Sequence, residues 1–341
     1  MTEAPALSVV LAVFNGERFL RQALDSVLGQ GFAGFELIVV DDGSTDTSPE
    51  ILAEYGARDP RVRAHRQSNQ GASAALNFGI GLAQAPLIAR LDADDLALPG
   101  RFERQVRFLG ENPAVGMVGG QASIVDDEGR EVAPARYPLS DAEIRQAFTA
   151  TTPFVHSAVT MRKALFEQAG GYRVAFDNAE DLDLWLRIAE RGELANLPEL
   201  VVAYRIHGGQ ASVQSLRNQA FHSLAARTAA RARAAGEPDP FAGIDAIDEE
   251  TLRALGVGPE EVTATLVEAA GWMARTLDRA GKREAAKELF AVARSSAGSK
   301  HGSPALVASV QRSQAQRFAE RGQRLRARLK RAQAAWNERA H

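Results

Sequence analysis

Residues 35–44 read FELIVVDDGS, an apolar, β-branched run that stops on two aspartates, a glycine and a serine. A run of this kind, closed by turn residues, predicts a strand buried on both faces. Here the strand is Phe35–Val40, and Asp41 and Asp42 stand at its carboxyl end. The pattern repeats on either side. Leu7–Phe14 (LSVVLAVF) predicts a strand, Val62–Arg66 a short one, and Leu87–Leu91 another that ends in Asp92-Ala93-Asp94-Asp95. Between them, Glu17–Gln30 carries Phe19, Leu20, Ala23, Leu24, Val27 and Leu28 at helical spacing. Ser48 ahead of Pro49 predicts a capped helix start, and Ala72–Ala83 a third helix. Strands alternating with helices imply βαβ units and a mostly parallel sheet. Such sheets bind ligands at the carboxyl ends of their strands. Both acidic clusters sit there.

The chain has 341 residues, enough for one large α/β domain and an appendage. Its 45% apolar and 24% charged content supports a sizeable core rather than disorder. There is no cysteine, which excludes a disulfide framework, a thiolate metal site and a cysteine nucleophile. The amino terminus lacks the basic region and cleavage site of a signal peptide. No run approaches the length of a membrane span, so a cytoplasmic protein is expected. Charge is unevenly placed. Residues 301–341 hold nine Lys/Arg and two Asp/Glu, whereas the other 300 residues hold 31 basic and 41 acidic side chains. The acidic body offers no basic stripe for phosphates, so nucleic acid is not an expected partner.

Two motif matches fail on context. Gly29–Gly34 (GQGFAG) fits the dinucleotide fingerprint literally, yet it ends a helix and precedes a strand, the reverse of what that fingerprint needs. Asp92-Ala93-Asp94 starts like a calcium loop, but Leu96 and Ala97 occupy positions that require an oxygen ligand and a glycine. What remains is chemistry for a hard cation. Three carboxylates in four residues repel one another unless a positive group sits among them. Mg²⁺ or Mn²⁺ answers that need and commonly shares its shell with substrate phosphates. A solvated acidic turn is the competing explanation, weakened by the buried strand that the cluster closes.

The segments VVLAVFNGERFLRQALDSVLGQGFAGFELIVVDDGSTD and NQGASAALNFGIGLAQAPLIARLDADD resemble the family 2 glycosyltransferases of GT-A fold. GGYRVAFDNAEDLDLWLRIAERG resembles that family's acceptor-side motif, and YRIHGGQAS its closing strand. The resemblance implies a GT-A domain over residues 1–213, with a nucleotide-sugar half (1–115) and an acceptor half (116–213). It also implies a metal-dependent, inverting transfer of a sugar from a nucleotide-sugar to a glycan or lipid-linked acceptor in cell-surface polysaccharide synthesis. UDP is the first donor to expect, with dTDP and GDP as alternatives. Phe14 would stack on the nucleobase, with Ala12 and Asn15 beside it, and Asp42 would accept a hydrogen bond from the base. Asn69, Gly71 and Asn77 would lie near the diphosphate. Asp94 and Asp95 would bind ribose and metal, with Asp92 a further candidate, because DADD leaves the register of the DxD motif open. His207 is equally a metal or diphosphate ligand and a surface loop residue. Asp181 is the preferred catalytic base and Glu180 its alternative; both would also be expected near a helix amino terminus on electrostatic grounds alone. His156 and Trp185 are assigned to packing. A nucleotidyltransferase and a non-catalytic binding module on the same fold are the rival functions.

Beyond Val213 the composition shifts to Ala, Arg, Leu and Glu, with breaks at Gly236–Gly243 and Ser295–Pro304. Residues 214–341 therefore predict a helical extension. Glu268–Ala297 resembles one helix–turn–helix unit of the tetratricopeptide type, too little for a repeat array. In the final helix Phe318, Leu325, Leu329, Ala332 and Trp336 share a face that arginines surround. Such a helix suits an anionic membrane surface, self-association, or docking on the acidic body.

Overall fold

The computed structural model describes residues 4–207 and 215–298. The chain divides into two compact units: residues up to Ile206 together with 222–255, and residues 207–221 together with the chain from 256 onward. Each is described by itself.

The first unit is built on a nine-stranded sheet. Strands β1 (Leu7–Val13), β2 (Phe35–Asp41), β3 (Val62–Arg66) and β4 (Leu87–Arg90) are all parallel. They alternate with helices α1 (Glu17–Leu28), α2 (Ser48–Arg58) and α3 (Ala72–Gly81). β1 and β2 are almost wholly buried on both faces, which is why their sequences do not alternate. α1 buries Phe19, Leu20, Ala23, Leu24 and Val27 and ends two residues before the expected Gln30. Gly79 of α3 packs so closely that a Cβ there would lie 2.8 Å from Val10 and 3.1 Å from Val40.

The second half of the sheet is mixed. β5 (Leu96–Ala97), α4 (Arg101–Glu111), β6 (Val115–Val125), β7 (Glu131–Ala135), α5 (Asp141–Ala147), β8 (Thr160–Arg162), α6 (Lys163–Gln168), α7 (Glu180–Ala189) and β9 (Glu193–Arg205) follow in order. The strand order is β3-β2-β1-β4-β8-β6-β9-β5, with β7 on β6. β8 runs antiparallel between β4 and β6, while β6 and β9 are parallel. The chain leaves β1 toward β2 on one side and returns to β4 on the other. The crevice at the carboxyl ends of β1 and β4 is therefore the topological switch point where such sheets take ligands.

Four more helices follow: α8 (Leu216–Ala234), α9 (Glu249–Ala254), α10 (Pro259–Arg279) and α11 (Arg283–Ala297). In the second unit α10 and α11 form an antiparallel hairpin around Gly281, which has φ +80°. Leu266, Ala270, Met273, Ala274 and Leu277 of α10 and Ala286, Leu289, Phe290 and Ala293 of α11 are buried, the helical spacing that the sequence displays. No helix among the described residues is long and apolar enough to cross a membrane. The basic amphipathic helix expected around residues 317–336 lies outside the described residues.

Candidate active site

The β1 end and the β2 end are laced together. Asn15 takes φ +52°, unusual without a glycine. Its Oδ1 accepts from Thr45 N at 2.8 Å, and its own N–H donates to Ser44 Oγ at 2.9 Å. Ser48 does not cap α2 with its side chain as its position suggests: its hydroxyl accepts from Gly16 N at 3.0 Å, and Asp46 accepts from Ser48 N instead. With these contacts turning the chain sharply, the Phe14 ring is left 52% exposed at the end of a buried strand. An aromatic face in that position is poised to stack on a planar base. Ala12, half-buried, sits opposite Val40 in the β1–β2 register.

Asp42 is buried, and its carboxylate organises the next loop. Oδ1 accepts from Gln70 N at 2.9 Å and Gln67 Nε2 at 2.8 Å, and Oδ2 accepts from Gly71 N at 2.8 Å. Gly43, at φ +81°, lets the backbone of Asn69 approach so closely that a Cβ would lie 2.9 Å from its N. Asn69 and Gly71 thus line a loop built on Asp42. Asn77 joins two parts of the first unit. Its carboxamide bonds both polar groups of the Tyr172 backbone, Nδ2 to the carbonyl at 2.8 Å and Oδ1 from the amide at 2.9 Å. It ties α3 to the Gly170-Gly171-Tyr172 turn, where both glycines have positive φ.

The three acids after β4 differ sharply. Asp92 pairs with the buried Arg90 at 2.6 Å and accepts from Ser157 Oγ at 2.8 Å. Burial works against its charge, but Arg90 and these bonds hold its carboxyl below the usual range. Asp95 is fully buried, and its Oδ1 accepts from Arg205 N at 2.7 Å. Its other oxygen has no hydrogen-bond partner, and burial with Asp94 and Asp92 nearby pushes its carboxyl well up. Asp94 is half-buried at the crevice, and its carbonyl accepts from Arg205 Nε at 2.7 Å. A divalent cation fits this donor set. Among the described residues no group of three or more His, Asp or Glu side chains is arranged to chelate by itself. One or two carboxylates completed by water and phosphate oxygens are the ligand set that Mg²⁺ takes with nucleotides. The unsatisfied Asp95 oxygen marks the same place as short of positive charge. His207, two residues beyond β9, opens the second unit.

Glu180 and Asp181 open α7, behind Asn178 at φ +67°. Asp181 Oδ1 accepts from Leu182 N at 2.6 Å, while one Glu180 oxygen is buried without a partner. Burial, followed by repulsion from Asp181, pushes Glu180 up to about 8; burial pushes Asp181 up to about 6. Arg90 draws both carboxylates down as it does Asp92. The end of β4 and the start of α7 therefore share one electrostatic environment. Under it lies an aromatic floor: His156 Nε2 bonds the Tyr172 hydroxyl at 2.8 Å, and Trp185, fully buried, stacks edge-on to His156 and Phe154. Burial drives the His156 imidazole well below its ordinary value, so it stays neutral. Both residues pack, as the sequence suggests.

A family model described as glycosyl transferase family 2 matches residues 8–170. The amylovoran biosynthesis glycosyltransferase AmsE of Erwinia amylovora is 34% identical over 202 residues, 58% of this chain and 75% of that one. The O-antigen biosynthesis glycosyltransferase WbnJ of Escherichia coli is 31% identical over 205 residues, 59% and 80% of the two chains. The chain belongs to glycosyltransferase family 2. Among solved structures, the mannosyltransferase PcManGT of Pyrobaculum calidifontis, in complex with GDP-Man and Mn²⁺, superposes with a TM-score of 0.55 at 19% identity, covering 93% of this chain and 88% of that one. The fold is GT-A.

Three residues of this family 2 enzyme escaped motif reading. Arg90 lies inside LIARL and Arg205 at the end of VVAYR, each a cation in an otherwise largely apolar run. That anomaly was the available signal, since a strand buries arginine only beside a partner. Arg205 is fully buried and also donates to the carbonyls of Asp126 and Asp127 and to Gln22 Oε1. Ser157, which holds Asp92, gives no comparable signal.

Proposed function

We propose that the protein is an inverting, metal-dependent glycosyltransferase that moves a sugar from a nucleoside diphosphate to a hydroxyl of a growing surface glycan or its lipid carrier. The reading is carried by Arg90, buried in β4 and paired with Asp92 at 2.6 Å, whose charge also draws down the Glu180–Asp181 pair. This supports a leaving-group site and a base site that share one crevice. Phe14 stacks on the base, and Asp94, half-buried where the acidic turn leaves β4, is the carboxylate that would take the cation. Held there, a divalent cation would supply the positive charge that offsets the charge building on the leaving diphosphate. Asp181, ionised at neutral pH, accepts the proton of the acceptor hydroxyl as its oxygen bonds the anomeric carbon and the bond to the diphosphate breaks. Glu180 stays protonated beside it. One in-line displacement inverts the anomeric centre. The biosynthetic names of AmsE and WbnJ support a glycan acceptor, and PcManGT supports trying GDP-sugars beside UDP-sugars.

The test is calorimetric titration with UDP, dTDP, GDP and CMP, each with and without Mn²⁺, followed by transfer assays on Asp181→Asn. One nucleotide should bind tightly only with metal, and Asp181→Asn should keep that binding and lose transfer. Equal loss of both would remove Asp181 from the base role.

A further inference from the structure

The match to the family model ends at residue 170, yet α7 is clasped by residues from well beyond it. On the amino-terminal side of α7, His222 Nδ1 lies 2.5 Å from the carbonyl oxygen of Asp177. Phe241, buried, meets Phe176 edge-on at 5.6 Å between ring centroids. In the first turn, fully buried Asp183 is held by Arg173, whose Nη1 donates to Asp239 at 2.9 Å. Past the last turn, Arg233 donates to Glu190 at 2.7 Å and to Asp239 at 2.5 Å. The Asp239 carboxylate thus receives two guanidinium groups, and Phe241 N–H completes the set at 2.9 Å. Arg187 closes the network on the helix side, bonding Asp183 at 2.6 Å and the Gly171 carbonyl at 2.8 Å.

Every residue of this network belongs to the first unit. Asp181 and Asp183 are two positions apart on α7, so they point to nearly opposite sides of the helix. One faces the crevice and the other the clasp. A largely buried ionic network contributes little net stability but can fix geometry where its groups are paired; here Asp183 and Asp239 are each held by two guanidinium groups, while Arg233 Nη2 is buried without a partner.

We propose that residues 222–241 form a brace that aims α7, with Asp239 as its central positioning residue. The transfer step then depends on a segment outside the family's matched region. The proposal rests on Asp181 as the base, and its test separates the two. In the full-length chain, Asp239→Asn, Asp239→Glu and the control Glu36→Gln, which weakens an ion pair at the opposite edge of the sheet, are compared. Hydrogen exchange over residues 177–190 is read without any ligand. Release of nucleoside diphosphate from the UDP- or GDP-sugar selected by titration, and binding of the matching diphosphate with Mn²⁺, are read beside it.

In Asp239→Asn, exchange over 177–190 should rise above that of the control. The turnover rate should fall about tenfold to a hundredfold, the usual scale for a misplaced catalytic group. Diphosphate binding should change by less than about twofold, about 0.4 kcal/mol. Asp239→Glu should recover part of the rate. Exchange and turnover matching the control would overturn the brace. Should Asp239→Asn fail to fold, Arg233→Gln carries the same readouts with the same outcomes. Transfer surviving in Asp181→Asn would overturn the base assignment alone, since the exchange data still judge the brace.

Discussion

The pH dependence of transfer distinguishes the two carboxylates at the head of α7. Both are raised by burial, but Glu180 also bears the repulsion of an ionised Asp181, so Asp181 loses its proton first, at about 6, and Glu180 second, at about 8. These are steps of a coupled pair. A general base works only in its ionised form, so activity carried by Asp181 must rise with pH through the first step. With a midpoint near 6, the ionised fraction is about nine-tenths at pH 7 and about one-tenth at pH 5, a tenfold fall in rate on acidification. Were Glu180 the base, the rate would be near one-tenth of its maximum at pH 7 and would climb about tenfold by pH 9. Initial rates of nucleoside diphosphate release at saturating substrates, from pH 5 to 9, locate the limb. Glu180→Gln should leave the limb near 6 in place, because an already neutral side chain is replaced by another. Asp181→Asn should remove it. A single limb near 8 that disappears in Glu180→Gln and survives in Asp181→Asn would refute the assignment. It would also mean that Asp181 serves as the neighbour that raises its partner.

Further outcomes follow from other parts of the site. Phe14→Ala should weaken nucleoside diphosphate binding by about 1–3 kcal/mol, the worth of a base stacked on an aromatic ring, and leave the melting temperature unchanged because the ring is half exposed. Asp94→Asn should lower diphosphate affinity only when Mn²⁺ is present, which calorimetry with and without metal reads directly. Asp95→Ala should instead lower the melting temperature, since it removes the acceptor of the buried Arg205 amide. Gly79→Ala should destabilise by about 1–3 kcal/mol in denaturant titrations, because crowding against Val10 and Val40 outweighs the roughly 1 kcal/mol that alanine gains over glycine within a helix.

Much of the fold was legible because β1, β2 and β4 are buried on both faces. Runs such as LSVVLAV and FELIVVD leave no competing period, and glycine, aspartate or proline closes each one. The acids at their ends were legible for the same reason: a charge that terminates an apolar run is conspicuous. Their division of labour was not. Asp92 and Asp94 look alike in DADD, and what separates them is the buried Arg90 that pairs Asp92. Asn77 shows the same limit, since only the fold brings Tyr172 to it across 95 positions. Ser48 reads as a cap because a local rule supplies an obvious partner, and the distant Gly16 amide takes it instead.

The ionic network beneath α7 lies furthest from what a sequence can disclose. Arg173, Asp183, Arg187, Arg233 and Asp239 are ordinary charged residues in helical or turn segments, where solvation is the default expectation. Their burial follows from how α7 is covered, and the cover comes from residues 222–241, in a region with no motif of its own. Yet the covering has a chemical logic. A helix that opens on Glu180, Asp181 and Asp183 gathers three carboxyl groups within one turn, of which only one or two can serve the crevice. Arg173 and Arg187 neutralise the third and turn it into an anchor. Asp239 then balances Arg173 and Arg233, and Arg233 balances Glu190. Charge that would otherwise raise the base further is thereby matched on the far side of the helix, and the segment that matches it fixes where the base points.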